Sequence, residues 1–168
     1  MKRVIGLLTF LTMAFPIGAV AQDDGGALMS YQMMKPETAL TLAQATLDDC
    51  RARGYQVSVT VVDRYGLPQV VLRDRFAGTH TLETSRRKAW TAASFRIDTL
   101  EFSKLTQAGE DLSGIRHVSD VMAVGGGIPV QAAGTLVGAV GVSGAPGGDL
   151  DHACAQVGID AIAVDLEF

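Results

Sequence analysis

The chain has 168 residues, 48% hydrophobic and 19% charged, with 14 Lys and Arg against 18 Asp and Glu for a net charge of −4. Such a length suits one domain of ordinary size. The acidic balance excludes nucleic acid as the main partner, because phosphate binding needs a basic footprint, and it offers no general attraction to anionic membranes.

The first segment in chain order reads as an export signal. Lys2 and Arg3 give a positive start, an apolar run over residues 4–20 is interrupted by Pro16 and Gly18, and Ala19-Val20-Ala21 has the small-x-small form of a cleavage site. The alternative is a membrane anchor, for which the run is barely long enough. On this reading residues 1–21 are a signal peptide, no membrane span remains after processing, and the protein is periplasmic or secreted. Losing Lys2 and Arg3 leaves 12 basic residues against 18 acidic ones, a net charge of −6. Residues 22–35, which are polar and Gly-rich at their start, are expected to form a flexible leader, and residues 36–168 the folded domain.

The first helix is expected to start at Pro36 and end before Gly54, with Leu40, Ala43, Leu47 and Cys50 as its apolar stripe. Residues 57–63 alternate and are rich in β-branched side chains, so they read as a strand. Asp63-Arg64-Tyr65-Gly66 has turn chemistry, and residues 69–73 complete a hairpin, with Pro68 at the beginning of its second strand. Residues 81–95 read as a helix whose Ser85, Ala89, Ala92 and Ala93 form a small face able to sit close to a sheet. The same helix carries Arg86, Arg87 and Lys88. A short helix follows, with Asp98 as N-cap and Glu101 three residues on. Residues 109–119 read as a loop.

Residues 121–124, 128–132 and 136–143 read as strands, with Ala133 and Gly134 turning between the last two. Asp149 is expected to cap a final helix with a stripe of Leu150, Cys154, Val157 and Ala161. The order predicts an α+β fold: an antiparallel sheet of about five strands flanked by helices. Cys50 and Cys154 lie on the expected apolar faces of two helices. They are either a disulfide, permitted by export, or two buried thiols.

Four spaced motifs carry a family resemblance: Val61-Val62-Asp63-Arg64-Tyr65-Gly66, the helical Ser85-Arg86-Arg87-Lys88-Ala89-Trp90-Thr91-Ala92, Gly125-Gly126-Gly127-Ile128-Pro129-Val130, and Gly138-Ala139-Val140-Gly141-Val142-Ser143-Gly144. In this order they resemble the GlcG/HbpS-like proteins, which are also similar to the C-terminal domain of PduO-type proteins. The match runs from about Pro36 to the C-terminus. The resemblance implies a profilin-like sandwich of sheet and helices, often assembled into homo-oligomers, and haem as cofactor in several members, some of which sense or sequester haem outside the cell, while many others have no established activity. Iron ligands vary between members, so none is carried over from the family.

The candidate site residues follow from side-chain chemistry. His80, opening the basic helix, is the first choice as ligand to haem iron, against a plain exposed histidine. Arg86, Arg87 and Lys88 suit propionates or any small carboxylate, but successive helical residues point about 100° apart and cannot all face one ligand. Thr84, Lys88 and Thr91 form a polar stripe. The bland alternative is a buried Lys88 satisfied by backbone carbonyls, with both Arg solvated. His117, in the expected loop, is a second candidate iron ligand or a surface histidine. His152 is explained by a local contact with Asp149 or Asp151. Gly125, Gly126 and Gly127 offer backbone N–H groups to an anion, or else a tight connection between strands. Gly141-Val142-Ser143-Gly144 falls short of a nucleophile elbow, because Ala145 follows, so Ser143 reads as a strand-end residue. The favoured function is haem binding. The alternative is a binding module, or weak enzyme, for a small organic acid, and a third reading is an oligomeric scaffold.

Overall fold

The computed structural model describes residues 26–167. The expected export signal and the first residues of the expected leader lie outside them. Residues 26–30 are exposed and belong to a separate unit, and the packed unit begins at Tyr31. No helix among the described residues is long and apolar enough to cross a membrane.

Helix α1 (Pro36–Ala52) is followed by strands β1 (Ser58–Asp63) and β2 (Pro68–Arg73), helices α2 (His80–Phe95) and α3 (Thr99–Leu105), strands β3 (Gly127–Ala132) and β4 (Thr135–Ser143), and helix α4 (Gly148–Ala161). Short 3-10 turns occupy Ser113–His117 and Ala163–Leu166. The sheet is antiparallel with four strands in the order β2-β1-β4-β3. The α+β class is as expected, with one strand fewer.

The missing strand is residues 121–124. Their backbone groups are met by α2 instead of by a neighbouring strand: Arg87 donates to the Val121 carbonyl at 2.7 Å, and the Met122 amide donates to Thr91 Oγ1 at 2.9 Å. The segment therefore lies along a helix and not in the sheet.

β1 is buried at all six positions, because helices cover both faces of the sheet. On one face, Val59, Val61, Val130, Val140 and Val142 pack with Leu42, Leu47 and Cys50 of α1 and with Cys154 and Ala155 of α4. On the other, Val62 and Ala139 meet Ala89, Ala92 and Ala93 of α2. The small face of α2 is used as expected. A Cβ at Gly141 would run into the Ser85 carbonyl and the Ala89 amide, so β4 and α2 approach to backbone contact there. Two hydroxyl pairs tie the same layers, Ser58 to Thr81 at 2.7 Å and Thr60 to Ser85 at 2.8 Å.

Four local expectations are corrected. Leu40 is 49% exposed, and the buried face of α1 is Ala39, Leu42, Ala43, Thr46, Leu47 and Cys50. At about 100° per residue Leu40 falls just outside that arc. In α4 the buried residues are Asp151, Cys154, Ala155 and Gly158, while Val157 and Ala161 are exposed. The helix is rotated by a close contact at Gly158, where a Cβ would strike Thr46 Oγ1, and by the inward pull on Asp151 described below. Its N-cap is Gly147, so Asp149 sits in the first turn instead of capping it. At the other end of the domain, Met34 is buried, its amide donates to the Val137 carbonyl at 3.2 Å, and its carbonyl accepts from Gln69 Nε2 at 3.0 Å. The end of the expected leader is therefore packed.

Asp98 caps α3 by accepting from the Glu101 amide at 2.8 Å, while the Glu101 side chain turns to Lys104 at 3.0 Å. Cys50 and Cys154 form a disulfide joining α1 to α4, with Cα atoms 5.5 Å apart.

Candidate functional site

A cleft of about 570 Å³ opens where the start of α2, the end of β4 and the start of α4 meet. Its lining includes Phe76, His80, Thr84, Lys88, Ser143 and Asp151, and the turn through Pro146 and Gly147 closes one side. That volume falls in the ordinary range for small-molecule sites.

His80 is the first residue of α2 and is exposed at this cleft. Its imidazole lies against Gly78, where an added Cβ would sit 2.7 Å from Cε1 and 2.9 Å from Nδ1. Phe76, from the preceding turn, is 79% exposed and Val124 is 44% exposed, and both line the same cleft. The cleft therefore combines two exposed apolar side chains with an imidazole that has no hydrogen-bond partner among the described residues.

Lys88 lies at the floor, 1% exposed, and its Nζ donates to the Val142 carbonyl at 2.9 Å and to Asp151 Oδ2 at 2.7 Å. Burial pushes the Lys88 amine down, against the charge of Asp151, which holds it up. Burial pushes the Asp151 carboxyl up, opposed by Lys88 and by the amides of Ala145 and Gly144. Burial thus works against the charge of both groups, and their mutual attraction, with the two amides on Asp151, works for it. The bland alternative for Lys88 is half right: one carbonyl takes part, together with a carboxylate that sequence reasoning missed. The signal for it was weak, an acidic residue in the first turn of the last helix, 63 residues from Lys88.

The other cations are engaged elsewhere. Arg86 is held by Glu83 at 2.7 Å and by Asp120, which raises its pKa and holds the Glu83 carboxyl below its ordinary value. Arg87 reaches the Val121 carbonyl, and its buried Nε has no partner among the described residues. Neither Arg lines the cleft. Of the expected polar stripe, Thr84 lines the cleft with its hydroxyl donating to the His80 carbonyl at 2.9 Å, whereas Thr91 faces the segment 120–122.

Gly125, Gly126 and Gly127 are buried and serve close packing. A Cβ at Gly126 would sit 2.7 Å from Asp151 Cβ and 3.1 Å from Lys88 Nζ, and one at Gly127 would meet the Lys88 carbonyl. The Gly127 amide is spent on Thr99 Oγ1 at 2.8 Å. These residues are the tight connection that lets α2 and α4 close on the ion pair, not a lining of the cleft. His117 is exposed in a separate hollow with Thr106, Ser113 and Arg116. His152 makes neither expected contact: Asp151 is committed to Lys88, and the His152 Nδ1 is buried without a partner among the described residues. Phe76 was missed because a single aromatic residue in a polar turn carries no periodicity.

The same arrangement of elements recurs in known proteins. A double mutant of HbpS from Streptomyces reticuli superposes with a TM-score of 0.76 at 36% identity, covering 88% of this chain and 99% of that one. A PduOC–haem complex gives 0.74 at 30% identity, covering 77% and 95%. The corrinoid adenosyltransferase PduO of Salmonella typhimurium is 33% identical over 125 residues, 73% of this chain. The match spans 37% of that longer protein. The family model described as "Haem degrading protein HbpS-like" matches residues 34–160, which takes in every strand, the ion pair and the whole cleft lining. With the sheet order, the glycine connection and the helix packing all inside that span, the chain belongs to the HbpS-like family.

Proposed function

We propose that this protein is an exported haem-binding protein that senses or sequesters haem without catalysis. The cleft takes the macrocycle, and His80 ligates the iron. The observation that carries this reading is the exposed His80, unpartnered among the described residues, in the lining of a cleft of about 570 Å³ that also presents the exposed ring of Phe76. The residues fit the group: the lining offers a nitrogen ligand with no partner among the described residues, together with the apolar side chains of Phe76 and Val124. Support also comes from a relative solved with haem at 30% identity. Bound haem would supply a redox-active iron. The chain's own task is to hold the macrocycle and limit water at one face. His117, in its separate hollow, has no part in this arrangement.

Export is supported by the basic, apolar and small-residue order of residues 1–21 and by the disulfide, which persists in oxidising compartments. A homo-oligomer is supported by the exposed Tyr65, Leu67 and Val71 along the β1–β2 hairpin. Light scattering giving a monomer mass would remove that part of the reading. The organic-acid alternative is favoured by Thr84 and Lys88 sharing the cleft.

The test is a hemin titration of the mature protein followed by absorbance. A saturable Soret shift at near-stoichiometric hemin is the expected result, and its absence overturns the reading. His80→Ala is expected to alter the bound spectrum. An unchanged spectrum would remove His80 as ligand while leaving haem binding intact.

A further inference from the structure

The floor of the cleft holds hydrogen-bond donors that the His80 reading leaves idle. Val140 and Val142 of β4 face α1 and α4, so the alternation of the strand turns Gly141 and Ser143 toward α2. Ser143 is the last residue of β4, lines the cleft and is 6% exposed. Its hydroxyl has no hydrogen-bond partner among the described residues. Its oxygen is not sealed off from the cleft, so the hydroxyl is available to donate to a ligand bound there.

Two further donors come from other elements. An ammonium group has three N–H bonds, and Lys88 uses two of them, on Val142 and Asp151. Helix α4 opens without a side-chain cap. The amides of Leu150 and Asp151 bond back to the Gly147 carbonyl, while those of Gly148 and Asp149 have no partner among the described residues. Gly147 and Gly148 line the cleft, so this positive helix end opens into it. The carboxylate in the lining, Asp151, is already used by Lys88 and the amides of Gly144 and Ala145. Asp149 is an exposed carboxylate in the first turn of α4, turned back over Gly147.

We propose that Ser143, Lys88 and the first amides of α4 form a carboxylate subsite at the floor of the cleft. The inference rests on the cleft as the binding site but not on haem as its occupant. The carboxylate is either a haem propionate or the head of a free organic acid. Arg86 and Arg87, which chemistry alone would nominate for propionates, are replaced in that role by neutral donors and one buried ammonium. Asp149 competes with the ligand for the same helix end.

The test compares hemin, hemin dimethyl ester and glycolate on the full mature chain and on Ser143→Ala and Asp149→Asn variants. A hydrogen bond to a charged group is worth about 1.5–3 kcal/mol, so Ser143→Ala should weaken carboxylate binding roughly tenfold or more. Asp149→Asn should strengthen it. If the propionate is the occupant, Ser143→Ala weakens hemin and leaves the diester unchanged. If a free acid is the occupant, glycolate raises the melting temperature and Ser143→Ala abolishes the rise, whether or not hemin binds. Hemin binding indifferent to Ser143→Ala, with no response to glycolate, overturns the subsite and leaves the haem reading standing.

Discussion

Lys88 is the residue on which the site is built, and its energetics are those of a charge taken out of water. Removing one member of a buried pair leaves the other uncompensated, at a cost of about 3–5 kcal/mol. Lys88→Met is therefore expected to lower unfolding stability by that amount in a denaturant titration. Lys88→Met combined with Asp151→Leu should recover most of the loss, because apolar replacement of both partners removes the desolvation penalty as well. A double variant no more stable than Lys88→Met would show that the pair does more than neutralise itself. Asp74 gives a second prediction at this scale. It is 1% exposed, Arg51 donates to it at 2.7 Å, and this bond holds its carboxyl below the ordinary value near 3.8. The unfolded chain then binds the proton more readily, so the stability is present above about pH 4 and is lost as pH falls through the lower folded value. Asp74→Asn should flatten the acid limb of stability against pH and leave the neutral region lower by about 2 kcal/mol. An acid limb of unchanged slope would refute this.

At the scale of elements, the contact between α2 and β4 decides where the cleft floor lies. Gly141 has no room for a methyl group, because the Ser85 carbonyl and the Ala89 amide occupy its place and neither is a flexible side-chain end. Gly141→Ala must push the helix off the sheet, at about 3 kcal/mol or more. Gly54, just past α1, has φ near +83° and nothing within 4 Å of a built Cβ. Gly54→Ala should cost only about 1 kcal/mol, from backbone strain alone. Equal losses at the two positions in parallel unfolding titrations would contradict this account. The small face of α2 was legible in Ser85, Ala89, Ala92 and Ala93, because a stripe of small side chains at helical spacing has few other uses. The buried face of α4 was not. Its rotation follows from Gly158 meeting Thr46 and from Asp151 turning to Lys88, and both partners lie far away in sequence.

For the whole molecule, one covalent link joins α1 and α4, the two helices that cover one face of the sheet. Cys50 and Cys154 are 104 residues apart, and closing so long a loop in the unfolded chain is worth about 4–5 kcal/mol in the chain-entropy account. Reduction should shift the denaturant midpoint down by a corresponding amount without changing the native far-UV spectrum. An unmoved midpoint would place the stabilisation elsewhere. The sequence by itself determined the four helices, four of the five strands expected, their order and the α+β class, since strand alternation, helix-terminal Pro and Gly, and the small face of α2 are local patterns read within a few residues. It also nominated His80 and Lys88 by side-chain chemistry. Only the tertiary structure decided which of the two cysteine readings holds, that residues 121–124 run along a helix, that Arg86 and Arg87 are spent on neighbours, and that Lys88 meets Asp151 below Ser143. The reason is that charge pairing and donor satisfaction depend on which distant groups the folded backbone brings within about 3 Å, a distance that no spacing along the chain encodes.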